Sequence, residues 1–519
     1  MSQKIQIIVS PEVSCKNDLL TAAVAKEIGI AANRISGIRI EKKSIDARKP
    51  PIKVNLAVEA FCDGETPHDE RYEFHYDNVS AKKPVLIVGA GPAGLFAALR
   101  LIELGLKPVI LERGKDVSSR KVDIAQLCRN NGLNTDSNYC FGEGGAGTFS
   151  DGKLFSRSKK RGNFQRIFQI FHQHGANENI LYEAHPHIGS DKLPLIIKNM
   201  RQTIVDCGGE IHFGERVSGL IIENDRIKGA TTQNGEWRAD AVILATGHSA
   251  RDIYEMLHRA NIALECKGFA MGVRVEHPQA LIDSIQYKRK ERGEYLPAAA
   301  YSLVAQSNGR GVYSFCMCPG GMIVPASTGA EEIVVNGMSN SRRCSPFANS
   351  GIVVEIRPDD LGEFAQHGAL AGLKFQQYVE HLCFLNGAGG VKAPAQRLAD
   401  FVGGRLSADV PESSYLPGLV SSPVHFWLPE MIAERLRDGF RQFDKKMHGF
   451  VTNEALVAGV ESRSSSPIRI PRDTETLQHP QIKGLFPCGE GAGYAGGITS
   501  SAIDGENCAE MAAEAIRML

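Results

Sequence analysis

The chain has 519 residues, and its 59 Lys+Arg are balanced by 59 Asp+Glu, so the formal net charge is zero. That length implies about two to four domains with cores that need no disulfide or metal staple, and the charge balance argues against a surface built to hold nucleic acid. Hydrophobic content of 43% and charged content of 23% exclude disorder as the main theme, and 12 cysteines with no Cys-x-x-Cys pair exclude a disulfide scaffold or a zinc ribbon.

In chain order, Ile5–Val9 reads as a strand, Asp18–Ile28 as a helix, and Arg34–Ile45 and Ile52–Phe61 as two further strands. This β-α-β-β order predicts a small α+β domain over residues 1–82, with Asp77–Pro84 as a linker. The start of the chain lacks the basic, apolar pattern of a secretory leader. The longest apolar run, Pro84–Leu99, is interrupted by Gly89, Gly91, Pro92 and Gly94 and is too short to span a bilayer. The expectation is a cytoplasmic protein with no membrane partner.

From Val85 the pattern becomes buried strand, glycine-rich turn, helix and strand, opening a doubly wound α/β domain. Val217–Ile222, Gly229–Gln233 and Ala241–Leu244 read as three strands, with Asn224-Asp225 at the first turn. Strands are predicted within 255–480 at Gly272–Val275, Val312–Cys316, Met322–Pro325 and Ile333–Val335, and a helix at Leu428–Lys446. A last strand, turn and helix fill Leu485–Met511. The predicted boundaries are therefore 1–82, 83–254, 255–480 and 481–519, the second and fourth segments making one domain.

The strongest signal is VLIVGAGPAGLFAALRLIELGLKPVILER, Val85–Arg113. Gly89 permits the tight turn, Gly91 lets a pyrophosphate approach, and Gly94 lets the helix pack on the strand. The helix that starts at Pro92 and Ala93 offers its N–H groups and positive dipole end to phosphate. Glu112, closing the second strand before Arg113, is placed to accept hydrogen bonds from ribose hydroxyls. Strand, turn, helix and terminal acid together predict dinucleotide binding.

Two later strings extend the pattern: the strand ending Ala245-Thr246-Gly247, and GLFPCGEGAGYAGGITSSAIDG at Gly484–Gly505. With these three motifs in this order, the sequence resembles the flavoproteins with a glutathione-reductase-type FAD fold. The resemblance implies FAD, a Rossmann-like FAD-binding domain with a parallel sheet and a β-meander, and a mixed α+β substrate-side domain. It also implies that Gly489 and Glu490, the latter where the family usually has Asp, meet the ribityl chain. Val217 would meet the adenine through its backbone. The helix starting at Gly497, Ile498 and Thr499 would point its positive end at the flavin pyrimidine, where reduction places negative charge. GEGGAGTFSDGKL (Gly142–Leu154), YSFCMCPGG (Tyr313–Gly321) and GVESRSSSPIRI (Gly459–Ile470) resemble an uncharacterised group of bacterial FAD-dependent dehydrogenases. By analogy with related flavoproteins, Gly145, Gly147 and Thr148 would line the flavin.

Other features stay open between a chemical and a structural role. Cys316 and Cys318 are either a redox pair beside the flavin or buried packing, since alternate residues on a regular strand do not favour a disulfide. Arg463 and Arg469 either clamp an anion or form structural ion pairs. His185, His187 and His248 are candidates for proton transfer. The basic run Lys153, Arg157, Lys159, Lys160, Arg161 and Arg166 is either a phosphate-binding loop or a solvated face. No ligand cluster points to a metal, and no catalytic acid or base stands out. The reading is an FAD-dependent oxidoreductase that moves hydride to or from a small-molecule substrate. With no second G-x-G-x-x-G between the two FAD-binding segments, its reductant is a transiently docked NAD(P)H or a redox protein. The rival readings are a flavin-dependent tRNA-modifying enzyme and a non-catalytic FAD-binding sensor.

Overall fold

The computed structural model describes residues 2–66, 72–130, 132–155 and 162–518. Residues 2–62 form a three-stranded antiparallel sheet in the order Ser2–Val9, Lys53–Cys62, Ile35–Asp46. The alternation of Val54, Leu56, Val58 and Ala60 turns one face of the middle strand onto Leu20 and Val24 of the helix Asn17–Ile28. The predicted linker differs. Val79, within that stretch, is buried in the next core with Phe74 just before it, and the Val79 N–H donates to the Cys207 carbonyl.

The central element is a five-stranded parallel sheet in the order Leu485–Pro487, Val242–Leu244, Pro84–Val88, Lys107–Glu112, Glu210–Phe213. Its strands are apolar on both faces, as a sheet covered on both sides requires. Val85, Ile87, Ile110, Ile243 and Phe486 face the helices Pro92–Glu103, Leu193–Asp206 and Ile498–Arg517. Leu86, Val88, Val109, Leu111, Val242 and Leu244 face a β-meander and the helix Arg251–Arg259. The meander is Val217–Glu223, Arg226–Thr232 and Gly235–Arg238. Its third strand, Gly235–Arg238, is not among the predicted ones, while the predicted strand Ala241–Leu244 joins the parallel sheet as Val242–Leu244, as its unbroken apolar run suits. Asn224 and Asp225 both take positive φ at the first turn, as a two-residue hairpin demands.

The segment between them builds a seven-stranded sheet in the order Val304–Ser307, Arg310–Cys318, Phe347–Ile356, Phe269–Pro278, Leu456–Glu461, Ala393–Arg397, Leu419–Ser421. All its pairings are antiparallel except the last. The helices Ala371–Leu385 and Glu430–Lys446 cover it with Phe375, Val379, Leu436, Phe440 and Phe443. The expected strand Ile333–Val335 lies instead at Val335–Ser339, paired with Gly321–Pro325. Ile52 from the N-terminal unit is buried in this same core, and Lys43 exchanges backbone hydrogen bonds with Tyr182 and Ala184 of the parallel-sheet region. Among the described residues, no helix is long and apolar enough to cross a membrane.

Candidate functional site

A cleft, with about 960 Å³ of empty space when its open mouth is counted, lies at the C-terminal ends of the parallel strands, where ligands bind in open α/β sheets. Gly89, Gly91, Pro92, Ala93, Glu112, Arg113, Gly145, Gly147, Val217, Ala245, Thr246, Gly247, Gly489, Glu490 and Gly497 all line it. These residues come from four distant parts of the chain, and the sheet brings them together.

Glycine here is a geometric requirement. Gly89 has φ +105°, and a Cβ on it would lie 2.5 Å from the Ala245 carbonyl oxygen. A Cβ on Gly145 would lie 3.1 Å from the Gly91 Cα, so the two turns pass each other at backbone distance. The helices Pro92–Glu103 and Ile498–Arg517 begin at Gly91 and Gly497, and no side chain caps either N-terminus. Their first-turn N–H groups and positive dipole ends are therefore open to the cleft.

Glu112 is buried, with Oε2 accepting from the Ala90 N–H at 2.8 Å and Oε1 from Gly114 at 2.8 Å and Gly142 at 3.0 Å. It binds the glycine turn to the loop that carries Gly145 and Gly147. Arg113 lies over the Phe141 ring at 4.1 Å and pairs with Asp136 and Asp252, which fixes it at the rim. His248 lines the cleft with Nδ1 3.3 Å from Glu490 Oε1, while its buried Nε2 has no partner among the described residues.

Four of the anticipated residues stand behind the wall rather than on it. Gly94 sits against the Gly89 carbonyl, which is the packing role its spacing implied. The Thr148 hydroxyl donates to the Glu143 carbonyl and that of Thr499 to the Leu154 carbonyl. Ile498 packs against Gly147. Sequence reasoning missed Cys140, Phe141, Ser249, Ala250 and Ile253, which also line the cleft and carry no motif, and Cys488, which lies inside the Gly484–Gly505 string.

The weaker candidates resolve by their partners. Arg463 is buried between Glu332 and Glu380, at 2.6 and 3.2 Å, with Arg251 closing the cluster, so it is a structural ion pair. Arg469 faces Glu265 at 3.8 Å. His187 sits against the Ser341 carbonyl, its pKa pushed down by burial and by Arg343, and His185 packs edge-on to Phe155. Neither histidine lines the cleft. Arg157, Lys159, Lys160 and Arg161 lie outside the described residues, while Arg166 is paired with Glu103 and Glu506. Cys488, Asp504 and Cys508 bring potential metal-ligand atoms within 4.8 Å, but the Asp504 carboxylate is held by Arg472 and by the Gly489 N–H.

Residues 82–242 match a family described as FAD binding domain, 194–328 one described as FAD dependent oxidoreductase, and 268–464 one described as FAD-dependent protein, C-terminal domain-like. Residues 1–61 match a domain of unknown function. An uncharacterized protein of Clostridium beijerinckii is 39% identical over 513 residues, covering 95% of both chains. The thiamine thiazole synthase of Aeropyrum pernix is 26% identical over 188 residues, 33% of this chain and 56% of that protein. A geranylgeranyl bacteriochlorophyll reductase-like protein of Thermoplasma acidophilum superposes with a TM-score of 0.36 at 14% identity, over 84% of this chain and 79% of that one.

The Rossmann-like sheet and its glycine-walled cleft, taken with these families, define an FAD-dependent oxidoreductase. Within that class the chain belongs to the family of the Clostridium beijerinckii protein.

Proposed function

We propose that the cleft holds FAD in the extended manner of the glutathione-reductase type and that the enzyme passes a hydride between it and a small molecule. The observation that carries this reading is the convergence of two uncapped helix N-termini, from opposite ends of the sequence, on one glycine-walled cleft. The residues fit the cofactor: Gly89, Gly91, Pro92 and Ala93 would take the pyrophosphate, and Glu112, Arg113 and Val217 the adenosine half. Glu490 would take the ribityl chain, and Gly145, Gly147 and Gly497 the flavin. Bound FAD supplies an acceptor and donor of hydride.

The chain's own residues bind, orient and shield. The uncapped N–H groups of Ala93 and Gly94 give phosphate oxygens donors where water would otherwise compete. The start of Ile498–Arg517 supplies a fixed positive potential that favours negative charge near Gly497. His248 lines the cleft and is oriented there through Nδ1 by Glu490. The absence of a G-x-G-x-x-G string between the two FAD-binding segments supports a transient NAD(P)H or a redox protein as the electron source.

The test is an anaerobic titration of the purified holoprotein with NADH and then NADPH, followed at the visible flavin band. Bleaching by one of them is the expected result. A band that neither nucleotide bleaches, but a reduced redox protein does, moves the donor to that partner. Protein that carries no flavin and cannot be reconstituted with FAD overturns the reading.

A further inference from the structure

The three strings that set this sequence apart meet at one buried point beyond the cleft. Lys153 comes from the first, Cys316 and Cys318 from the second, and Glu461 from the third, gathered around Arg274. Arg274 is wholly buried, and its Nη1 pairs with Glu461 Oε2 at 2.7 Å. Its Nη2 donates to the Cys316 carbonyl at 2.7 Å and lies 3.6 Å from Cys318 Sγ. Lys153 Nζ lies 3.9 Å from the same sulfur and donates to the Met317 carbonyl.

The regular strand that argued against a disulfide is absent here. Cys316 takes φ +44°, and the pairing register slips between Phe315 and Cys318. The kink folds the chain so that Cys318 Sγ is 3.3 Å from the Cys316 carbonyl oxygen. Inert buried thiols sit among apolar atoms, whereas reactive ones sit beside cations. Here two cations flank the pair. The Cys318 thiol, followed by Lys153 and Arg274, holds the Cys316 thiol well below its usual range, while Cys316 and burial hold Cys318 well above. Two fully buried polar atoms beside the pair, Glu461 Oε1 and Asn349 Nδ2, have no partner among the described residues. One hydrogen bond links the site to the helix that begins at the cleft: Leu154, next to Lys153, accepts from Thr499, in the first turn of that helix and behind the cleft wall.

We propose that Cys316 and Cys318 form a redox-active pair that closes to a disulfide with the enzyme-bound oxidised flavin as electron acceptor. The inference rests on flavin in the cleft, not on which donor or substrate reduces it. In the step, one S–S bond forms between the Cys316 thiolate and the Cys318 sulfur, and the Cys318 S–H bond breaks. The proton and two electrons released together equal one hydride, which oxidised flavin accepts. The reverse step returns the pair to thiolate and thiol.

The test maps the thiols of the native holoprotein anaerobically, after reduction with dithiothreitol and after oxidation with ferricyanide. Each sample is denatured, labelled with maleimide and digested, and the tryptic peptide 311–342 is weighed. Two labels on the reduced peptide are expected, and none on the oxidised peptide, which should be lighter by two hydrogens. Dithionite titration should then take up about four electrons per flavin in the native protein, and about two in Cys316→Ser or Cys318→Ser. Two labels in both redox states, or uptake of about two electrons by the native protein, overturns the proposal. Protein that binds no FAD fails the first reading, while the peptide masses still report on the thiols.

Discussion

Both oxygens of Glu112 are taken by backbone N–H groups from three turns, so this carboxylate organises the cleft before any ribose reaches it. Glu112→Gln would leave an amide N–H₂ facing a backbone donor, at a cost of about 1–3 kcal/mol for the unsatisfied buried group. The expected outcome is a lower unfolding midpoint in urea together with loss of flavin on gel filtration. The acid was legible in the sequence as a strand-ending partner for ribose; its grip on Gly114 and Gly142 was not, because that contact depends on where a later loop returns. A second residue-scale prediction concerns Glu461. Burial lifts its pKa to about 7, with Arg274 keeping it from rising further. The folded state therefore holds a proton that the unfolded chain releases near pH 4.5, so this contribution to stability is full below that pH and is lost as pH rises to about 7. Unfolding free energy measured from pH 4.5 to 7.5 should fall less steeply in Glu461→Gln than in the native protein. A steeper or unchanged slope would contradict the assignment.

At the scale of elements, the helix Ile498–Arg517 lies across Pro92–Glu103, and the contact is made by glycine. A Cβ on Gly505 would sit on the Ala93 carbonyl. Gly505→Leu should force the two helices apart, costing about 1–3 kcal/mol by overpacking. Because both N-termini line one cleft, flavin retention should fall with it; a variant that melts early yet keeps a full complement of flavin would separate packing from binding. The glycine fingerprint was readable because each of its turns is set by residues a few positions apart. The kink at Cys316 was unreadable for the opposite reason. A non-glycine residue at positive φ has no local signature, and what holds it there is Arg274 donating to its carbonyl from another strand. Ala241–Leu244 was legible as a strand, but its place beside Pro84–Val88 was not, since the sequence does not say which sheet a short apolar run joins.

Across the whole molecule, the N-terminal unit bridges the two larger sheets without touching the cleft. Lys43 meets Tyr182 and Ala184 on one side, and Ile52 enters the core of the seven-stranded sheet on the other. Burying one such isoleucine is worth about 1.5–3 kcal/mol. Removal of residues 2–62 should therefore lower the thermal midpoint while the ratio of flavin to protein absorbance stays unchanged. Loss of flavin in that variant would show that the unit shapes the cofactor site from a distance.

The parallel sheet also has a history in time. Its edge partner Leu485–Pro487 is synthesised about 240 residues after Val242–Leu244, the strand it must cover. At roughly 5–20 residues per second, the ribosome takes about 10–50 s over that interval. Throughout it the nascent sheet presents an uncovered apolar edge, the kind that recruits foreign strands. The cleft likewise stays one wall short until the second glycine turn emerges, so capture of the cofactor follows translation of that turn and cannot nucleate the fold. A chain stalled before residue 485 should therefore be a chaperone client, and added flavin should not rescue it.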